Sequence, residues 1–368
     1  MQASYEVVVI GGGIIGSAVA YYLAKEHVEV AVLEENQIGL KATNAAAGML
    51  GAHSEYEGDA NAFFPFARYS QSLYSKLKDE LYELSGIDLG VKKGGILKLA
   101  FCERDKKQLA VMLAQPTVTW LEAAEVRKLE RDVTSDILGA AYIEEDINVL
   151  PIRVCQAFAK SAQVYGASIF EYTKVFRIKK QQDTFRIETA NGLIEAKRVV
   201  IASGAWSTPF FQQLGLEQEM TPVKGECIAV EGGNSPLKHT IFHDKYYIVP
   251  RNNGELVIGA TMKENDWSQR VSLDGMATLI HKAKELLPTI GHMKMTAAWS
   301  GLRPQTFDQK PFIGHHPEDD AILFATGHYR NGILLAPATG EMITSLMLKR
   351  DVKKQWGDAF RVDRPLRR

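Results

Sequence analysis

The apolar positions of this chain follow two different periods, which together predict a fold that mixes strands with helices. Residues 5–10 (YEVVVI) are almost continuously apolar, as expected of a strand that is buried on both faces. Ile15, Val19 and Leu23 then recur at helical spacing, and residues 28–34 (VEVAVLE) form a second apolar run. The pattern therefore predicts a β-α-β unit in the first 34 residues.

Later segments repeat both kinds of pattern. Pro151 is placed to begin a helix that continues to about Tyr165, where Gly166 would end it. The pairs Asn191-Gly192 and Asn253-Gly254 each separate two strand-like runs, which is typical of hairpin turns. No repeat, low-complexity tract or Pro/Ser-rich linker divides the chain, so two domains would have to interleave.

A glycine motif lies at the junction of the first predicted strand and helix. Gly11 permits a tight turn, Gly13 lets the backbone approach a pyrophosphate, and Gly16 lets strand and helix pack closely. Glu34 ends the second strand, where an acidic residue binds ribose hydroxyls and disfavours a 2′-phosphate, hence NADP. A glycine-requiring turn alone would look the same, but in this context the motif predicts a dinucleotide. It does not separate NAD from FAD.

These patterns predict a mixed α/β (α+β) fold, in which a Rossmann-like dinucleotide-binding domain is interleaved with a β-rich substrate domain. Two stretches between the α/β blocks are rich in short strands and are assigned to the substrate domain. The predicted dinucleotide-binding domain comprises residues 1–85, 146–220 and 300–368, and the substrate domain comprises residues 86–145 and 221–299.

Composition narrows the possible partners and the compartment. The formal net charge is −1, so we expect neither a nucleic-acid nor an anionic-membrane partner. Three widely spaced cysteines match no disulfide framework or metal site, which favours a reducing cytosol. The N-terminal residues lack the features of a signal peptide, and the apolar runs are too short to cross a bilayer. We therefore expect a cytoplasmic protein.

Four further segments carry candidate chemistry. Residues 41–53 (KATNAAAGMLGAH) fit either a packed helix or a backbone that lies close to a flat ring. Residues 322–343 read as a strand, a glycine turn and an apolar helix whose N-terminus could face a ligand. Tyr246 and Tyr247 would lie on opposite faces of a strand, so only one can face a given pocket. Arg303, in an apolar, glycine-rich run, needs an anionic partner because its charge cannot be neutralised.

Taken in order, the motifs resemble those of the D-amino acid oxidase superfamily and, more narrowly, of bacterial glycine oxidases, which act in the thiamine pathway. The resemblance covers essentially the whole chain. The motifs that carry it are the segment from Gly11 to Glu34, TNAAAGML (43–50), VVIASGAW (199–206), PVKGE (222–226), GLRPQTFDQKPFIG (301–314) and GHYRNGILLAPATG (327–340).

The resemblance implies a non-covalently bound FAD, since the related covalent flavoproteins use a cysteine after position 300 and here no cysteine follows Cys227. Arg303 would bind the substrate carboxylate with Tyr247, Arg330 would be a second arginine at the site, and Met262 would line it. The implied FAD contacts are the motif glycines Gly11, Gly13 and Gly16 together with Ile14, Ile15, Glu34, Glu35, Ala42, Thr43, Ala47, Gly48, Met49, Val175, His328, Tyr329, Arg330, Asn331, Gly332, Ile333 and Leu334.

The implied activity is FAD-dependent oxidative deamination of glycine and other small amines, such as sarcosine and small D-amino acids. Its products would be the imine or 2-oxo acid, ammonia and hydrogen peroxide, with molecular oxygen as the acceptor and no side chain acting as acid or base. Family members are often homotetramers. The alternatives are a D-amino acid or proline dehydrogenase with a quinone acceptor, an NAD dehydrogenase, and a flavin-binding partner protein without turnover.

Overall fold

The structure is a computed structural model that describes residues 4–54, 62–232 and 237–365. Its strands in chain order are β1 (Ser4–Ile10), β2 (Val30–Leu33), β3 (Met49–Leu50), β4 (Ile96–Ala100), β5 (Val118–Glu122), β6 (Gly139–Ile143), β7 (Ile147–Asn148), β8 (Ser168–Phe170), β9 (Val175–Gln181), β10 (Thr184–Thr189), β11 (Gly192–Ile201), β12 (Thr221–Glu231), β13 (Thr240–His243), β14 (Tyr246–Pro250), β15 (Glu255–Gly259), β16 (Lys263–Glu264), β17 (Met295–Gln305), β18 (Phe312–His316) and β19 (Asp319–Thr326).

The helices pack mainly around the two larger sheets. In chain order they are α1 (Ile14–Lys25), α2 (Ala42–Ala45), α3 (Phe63–Ser85), α4 (Glu103–Leu113), α5 (Ala123–Leu129), α6 (Pro151–Val164), α7 (Thr208–Gln213), α8 (Leu273–Leu286), α9 (Gly332–Met347) and α10 (Lys354–Phe360), with short 3₁₀ turns at Gly204–Trp206 and Pro288–His292.

The first sheet has a parallel centre in the order β19-β11-β1-β2-β8, and β18 pairs antiparallel with β19 at one edge. β1 is buried on both faces, as its sequence predicts. Val7 and Val9 face a core formed with α1, α3, α6 and α9, whereas Val8 and Ile10 face a second core that contains Phe185. Full burial of such side chains stabilises the fold by about 1.5–3 kcal/mol each.

The second sheet is mostly antiparallel and runs in the order β16-β12-β15-β14-β13-β4-β6-β5, while β17 pairs with β12. It takes strands from both stretches assigned to the substrate domain. β12 and β17 pair over nearly their whole lengths, from Thr221 opposite Gln305 to Val230 opposite Met295. β17 therefore continues the second sheet to Gln305, past the predicted domain boundary between residues 299 and 300.

Helix α9 continues through Pro337 because side chains of α3 replace the hydrogen bonds that the proline disrupts. Pro337 has no N–H to donate to the carbonyl of Ile333 one turn earlier. Instead, the hydroxyl of Tyr74 donates to that carbonyl, and the N–H of Ala338 donates to Ser70 Oγ at 3.2 Å. These contacts hold the first turn of α9 against α3.

The local predictions for the β-α-β unit, the helix at Pro151 and both hairpins are confirmed. Helix α6 begins at Pro151, and Gly166, two residues after its end, has a φ of 96°. β10 and β11 pair across Asn191-Gly192, and β14 and β15 pair across Asn253-Gly254. In the described part of the chain, no helix combines the length and hydropathy needed to span a bilayer.

Candidate active site

A cavity of about 1220 Å³, including its opening to solvent, lies between the two sheets. One wall is formed by segments that follow the carboxyl ends of β1, β11 and β19, where ligands bind in open α/β sheets. The opposite wall is formed by Gly225 and Cys227 of β12, Tyr247 of β14 and the end of β17. The cavity therefore brings distant parts of the chain together.

The predicted glycine motif forms a tight turn at one end of this cavity. Gly11 has a φ of 107°, and a Cβ there would lie 2.5 Å from the carbonyl oxygen of Ala202. A Cβ on Gly16 would lie 1.9 Å from the oxygen of Gly11, so only glycine allows strand and helix to pack this closely. Gly13 is the N-cap residue of α1 and has no side chain with which to cap the helix. The first N–H groups of α1 thus favour an anionic ligand.

Glu34 lies beside this turn in a smaller adjoining cavity. Its carboxylate accepts from the N–H of Gly12 at 2.7 Å and from the N–H of Asn36 at 2.9 Å. Lys41 and Trp206 also line this smaller cavity, with Lys41 Nζ 3.9 Å from the centre of the Trp206 ring. The acid predicted to bind ribose is therefore next to the motif glycines.

The small-residue segment after Lys41 forms a cavity wall and is not one packed helix. α2 spans only Ala42–Ala45, and Ala46 is already extended with a ψ of 146°. Gly48 has a φ of 81°, and a Cβ there would lie 2.2 Å from the oxygen of Val149. Thr43 Oγ1 accepts from the N–H of Ile14 at 3.0 Å, which joins this wall to α1.

The run from His328 to Ile333 forms another part of the wall, at the N-terminus of α9. Asn331 precedes that helix without capping it by its side chain. His328 is buried, and burial lowers its pKa to about 3, so its ring is neutral at ordinary pH. Its Nε2 lies 3.0 Å from Thr339 Oγ1. The N-terminus of α9 is therefore a second helix end that faces the cavity. The neutral ring of His328 adds no positive charge to it.

Arg303 projects from β17 across the neighbouring strand. Its guanidinium lies over Gly225, where a Cβ would be 2.4 Å from Nη1 and from Nη2. Nη1 donates to the carbonyl oxygen of Thr261 at 3.2 Å. Within residues 4–54, 62–232 and 237–365, no carboxylate lies within 4 Å of this guanidinium. Arg303 thus lines the cavity with a charge that no described acid neutralises.

Tyr247 lies close to both predicted substrate arginines. Its side chain is 7% exposed, and burial raises the pKa of its phenol, an effect that the charges of Arg303 and Arg330 oppose. Its hydroxyl lies 3.8 Å from Cys227 Sγ. Tyr246 packs in a different core on the other face of β14. The structure therefore brings Tyr247, Arg303 and Arg330 to one cavity and directs Tyr246 away from it.

Several predicted contacts do not line either cavity. Glu35 is instead paired with Lys41 and Lys174, both at 2.9 Å, and Lys41 is the first of the causes that lower its pKa. Met262 is 36% exposed, and its predicted lining role stays a prediction. Three other predicted FAD contacts also lie outside the cavity linings. Gly16 packs against the motif turn, and Val175 and Leu334 are buried in the core.

Other residues line the cavities although the sequence reasoning did not single them out for a role. Gly225 and Cys227 are two residues apart on β12, and Gly301 lies directly opposite Gly225 on β17. Strand alternation could have placed Gly225 and Cys227 on the same face. Nothing local predicts that Trp206 would meet Lys41, because that contact depends on the tertiary fold.

Comparisons with known proteins agree with this geometry. The family model described as "FAD dependent oxidoreductase" matches residues 6–346. The glycine oxidases of Bacillus licheniformis and Bacillus subtilis (strain 168) are each 51% identical over 364 residues, which cover 99% of this chain and 98% of each relative. The crystal structure of glycine oxidase from Geobacillus kaustophilus superposes with a TM-score of 0.92 at 38% identity, and the match covers 95% of this chain and 96% of that one.

Proposed function

This chain belongs to the FAD dependent oxidoreductase family, and from that premise we propose that it is an oxidase that deaminates glycine and other small amines. The description of the family model gives FAD as the cofactor, and the names of two full-length relatives give glycine as the substrate that they oxidise. Sarcosine and small D-amino acids are further proposed substrates. Molecular oxygen is the acceptor in the proposed reaction.

The presence of Tyr247, Arg303 and Arg330 in the lining of one cavity is the observation that carries this proposal. Arg303 and Arg330 both act electrostatically on its phenol, and Arg303 has no described acid within 4 Å. The planar fork of an arginine can bind both oxygens of a carboxylate, and a desolvated site strengthens that contact. Burial keeps the Tyr247 hydroxyl protonated, so it can donate a further hydrogen bond. The three side chains suit an amino acid carboxylate.

The residues around the cavity fit FAD. The Gly11 turn, with no room for a Cβ, and the start of α1 behind Gly13 suit the pyrophosphate, and Glu34 suits the ribose. The wall from Ala46 to Met49 and the start of α9 offer backbone to a flat ring. When bound, FAD accepts the two electrons of the substrate and passes them to oxygen, which yields hydrogen peroxide.

The side chains of this chain act by binding and orientation. Arg303 and Tyr247 would hold the carboxylate, so that the Cα–H bond has a fixed direction. Among the described residues that line the larger cavity there is no aspartate or glutamate, and its His328 is neutral and bonded to Thr339. None of these described residues can take a proton from the amine, so in the proposed reaction the substrate enters with a neutral amine. With glycine as the substrate, loss of a hydride from Cα, which bound FAD would take up, leaves the protonated imine, and water hydrolyses it to glyoxylate and ammonium.

We also propose how the chain divides into domains, how it assembles and where it is located. The FAD-binding domain would comprise residues 1–85, 146–220 and 300–368, and the substrate domain the intervening stretches. We further propose a homotetramer and a cytoplasmic location, in keeping with the family resemblance and the cysteine content.

An anaerobic spectroscopic experiment tests the proposed activity. Purified protein loaded with FAD is mixed with glycine without oxygen, and air is then admitted while peroxide is assayed. Bleaching of the flavin followed by recovery with peroxide supports the oxidase. Bleaching without recovery would indicate a dehydrogenase with another acceptor. A flavin that neither glycine, sarcosine nor D-alanine reduces would overturn the proposal in favour of a binding protein.

A further inference from the structure

A third arginine, Arg251, lies buried behind the wall of the larger cavity, beyond Arg303 and Arg330. Arg251 directly follows β14 and is only 8% exposed. Nη1 donates to the carbonyl oxygen of Val149 at 2.8 Å, and Nη2 donates to that of Ala47 at 2.6 Å. One guanidinium thus joins the second sheet to two segments that flank Gly48 in space.

Among the described residues the guanidinium of Arg251 forms no ion pair, and Glu255 acts on it only through longer-range electrostatics. In the described ranges of the chain no aspartate or glutamate lies within 4 Å of its guanidinium, in contrast to Arg364, which is equally buried and pairs with Asp308 at 2.6 Å. Burial lowers the pKa of Arg251 to about 10, so the group is still protonated at neutral pH. A buried cation that is bound only to carbonyl dipoles is costly for the folded protein. Such a cost points to a role in the site.

The position of this cation relates it to the cavity. Ala47, which accepts its shorter hydrogen bond, lines the cavity, as does its neighbour Gly48. Tyr247 and Cys227 also line the cavity, and both are influenced electrostatically by Arg251. The positive charge therefore lies directly behind the surface on which the flavin contacts of Ala47, Gly48 and Met49 are expected.

We propose that Arg251 is a positioning residue for the cofactor, one that fixes the Ala47 and Val149 carbonyls and favours negative charge in the cavity. It does not contact the substrate in this scheme. Its guanidinium sets the shape of the wall from Ala46 to Met49 and provides a fixed positive potential there. Reduction of a bound flavin adds negative charge, which that potential stabilises.

Two substitutions separate the fork from the charge. Arg251→Lys keeps the charge but has no planar fork for two carbonyls, and Arg251→Gln keeps a donor but loses the charge. Arg198→Met is the matched control, because Arg198 donates to the carbonyl of Met347 at 3.0 Å and lines neither cavity. The dissociation constant of FAD is measured by fluorescence for each protein. We expect it to rise about fivefold in both Arg251 variants, for the loss of one hydrogen bond, and to be unchanged in the control.

Sulfite is the probe of the charge, because it adds to oxidised flavins and leaves them more negative. Its dissociation constant, read from flavin absorbance, should rise about tenfold in Arg251→Gln and stay within about twofold of wild type in Arg251→Lys. Wild-type sulfite affinity in Arg251→Gln, or equal weakening in both variants, would overturn the charge role. If Arg251→Gln loses FAD while Arg251→Lys keeps it, the charge is supported. If both variants lose FAD, the carbonyl contacts alone explain the result. The proposal, which also gives a role to the positive charge, is then overturned.

This inference depends on the FAD site and not on the proposed amine. Sulfite titration needs no substrate, so a protein that failed to oxidise glycine could still give the expected result. Conversely, the protein could oxidise glycine and yet bind sulfite equally well with and without the charge of Arg251. The proposed function would then stand, and this inference would be overturned.

Discussion

The guanidinium of Arg303 lies flat over the Cα of Gly225, and a methyl group at Gly225 would be 2.4 Å from both of its terminal nitrogens. The two residues belong to neighbouring strands, with Arg303 opposite Val223 and Gly225 opposite Gly301. Arg303 therefore reaches its position diagonally, across a site that has no side chain. Glycine at position 225 is what allows the proposed carboxylate clamp to lie against the sheet.

Substitution Gly225→Ala should raise the KM for glycine by about a hundredfold, because the new methyl group displaces the guanidinium by about 1 Å or more. The clash is with the end of a flexible side chain, so the fold and FAD binding should be retained. Steady-state kinetics and the flavin spectrum check both points. Gly357→Ala, at a site with no neighbour within 4 Å of the added methyl group, is the matched control. A normal KM in Gly225→Ala would show that the position of Arg303 is unimportant.

Replacement of Arg303 tests the clamp directly. Arg303→Lys keeps the charge but loses the two-pronged contact, so the KM should rise about tenfold. Arg303→Ala removes both, and the KM should rise at least about a hundredfold, as expected for the loss of a charge-assisted pair. Methylamine, which has no carboxylate, serves as the control substrate. Its weak turnover should be the same in the wild type, in Arg303→Lys and in Arg303→Ala. A near-normal KM for glycine in Arg303→Ala would contradict the assignment.

The contact between Tyr74 and Ile333 predicts an interaction with Pro337. Tyr74→Phe removes the donor to a buried carbonyl and should lower the free energy of unfolding by about 1–3 kcal/mol. In a Pro337→Ala background, residue 337 has an N–H that can bond the same carbonyl, so the cost of Tyr74→Phe should be smaller. A double-mutant cycle by chemical unfolding measures the difference. Equal costs in the two backgrounds would mean that Tyr74 does not compensate for the proline.

His328 predicts a specific dependence of stability on pH. Burial lowers its pKa in the folded state to about 3, below the unfolded value of about 6.5, so the unfolded state binds the proton more readily between these values. The stability contributed by neutral His328 is present above pH 6.5 and is lost as the pH falls towards 3.

Chemical unfolding of FAD-saturated protein at pH 7.5 and pH 5 checks this dependence. His328→Gln retains a partner for Thr339 and cannot be protonated, so its stability should fall less steeply with acid. The difference in slope should approach about 1.4 kcal/mol per pH unit below pH 6.5. Parallel slopes would indicate that folding does not lower the pKa of His328.

Much of the fold could be predicted because its signals are local. The turn at Gly11, the helix from Pro151 and the hairpin at Asn253-Gly254 each depend on residues that are adjacent in sequence. The family resemblance added Tyr247 and Arg303, which no local pattern brings together. Periodicity alone had only placed Tyr246 and Tyr247 on opposite faces.

The rest could not be predicted because it depends on contacts between distant segments. The short α2 replaces the longer helix that an alanine-rich run allows, because Gly48 is held in a left-handed conformation against Val149. The burial of Arg251 follows from carbonyls contributed by residues 47 and 149, far away in the sequence. For the same reason the contact between Gly225 and Arg303 could not be predicted, because it depends on how β12 and β17 are aligned.

That register limits how the enzyme can be altered by laboratory evolution. Successive side chains in a strand point to opposite faces, so inserting or deleting one residue in β12 or β17 would turn Arg303 or Gly225 away from the cavity. Libraries that vary chain length should therefore lose activity when they target these two strands. The segment between Glu264 and Ser272, which joins β16 to α8, lies outside both strands, so a change in its length would leave their register intact.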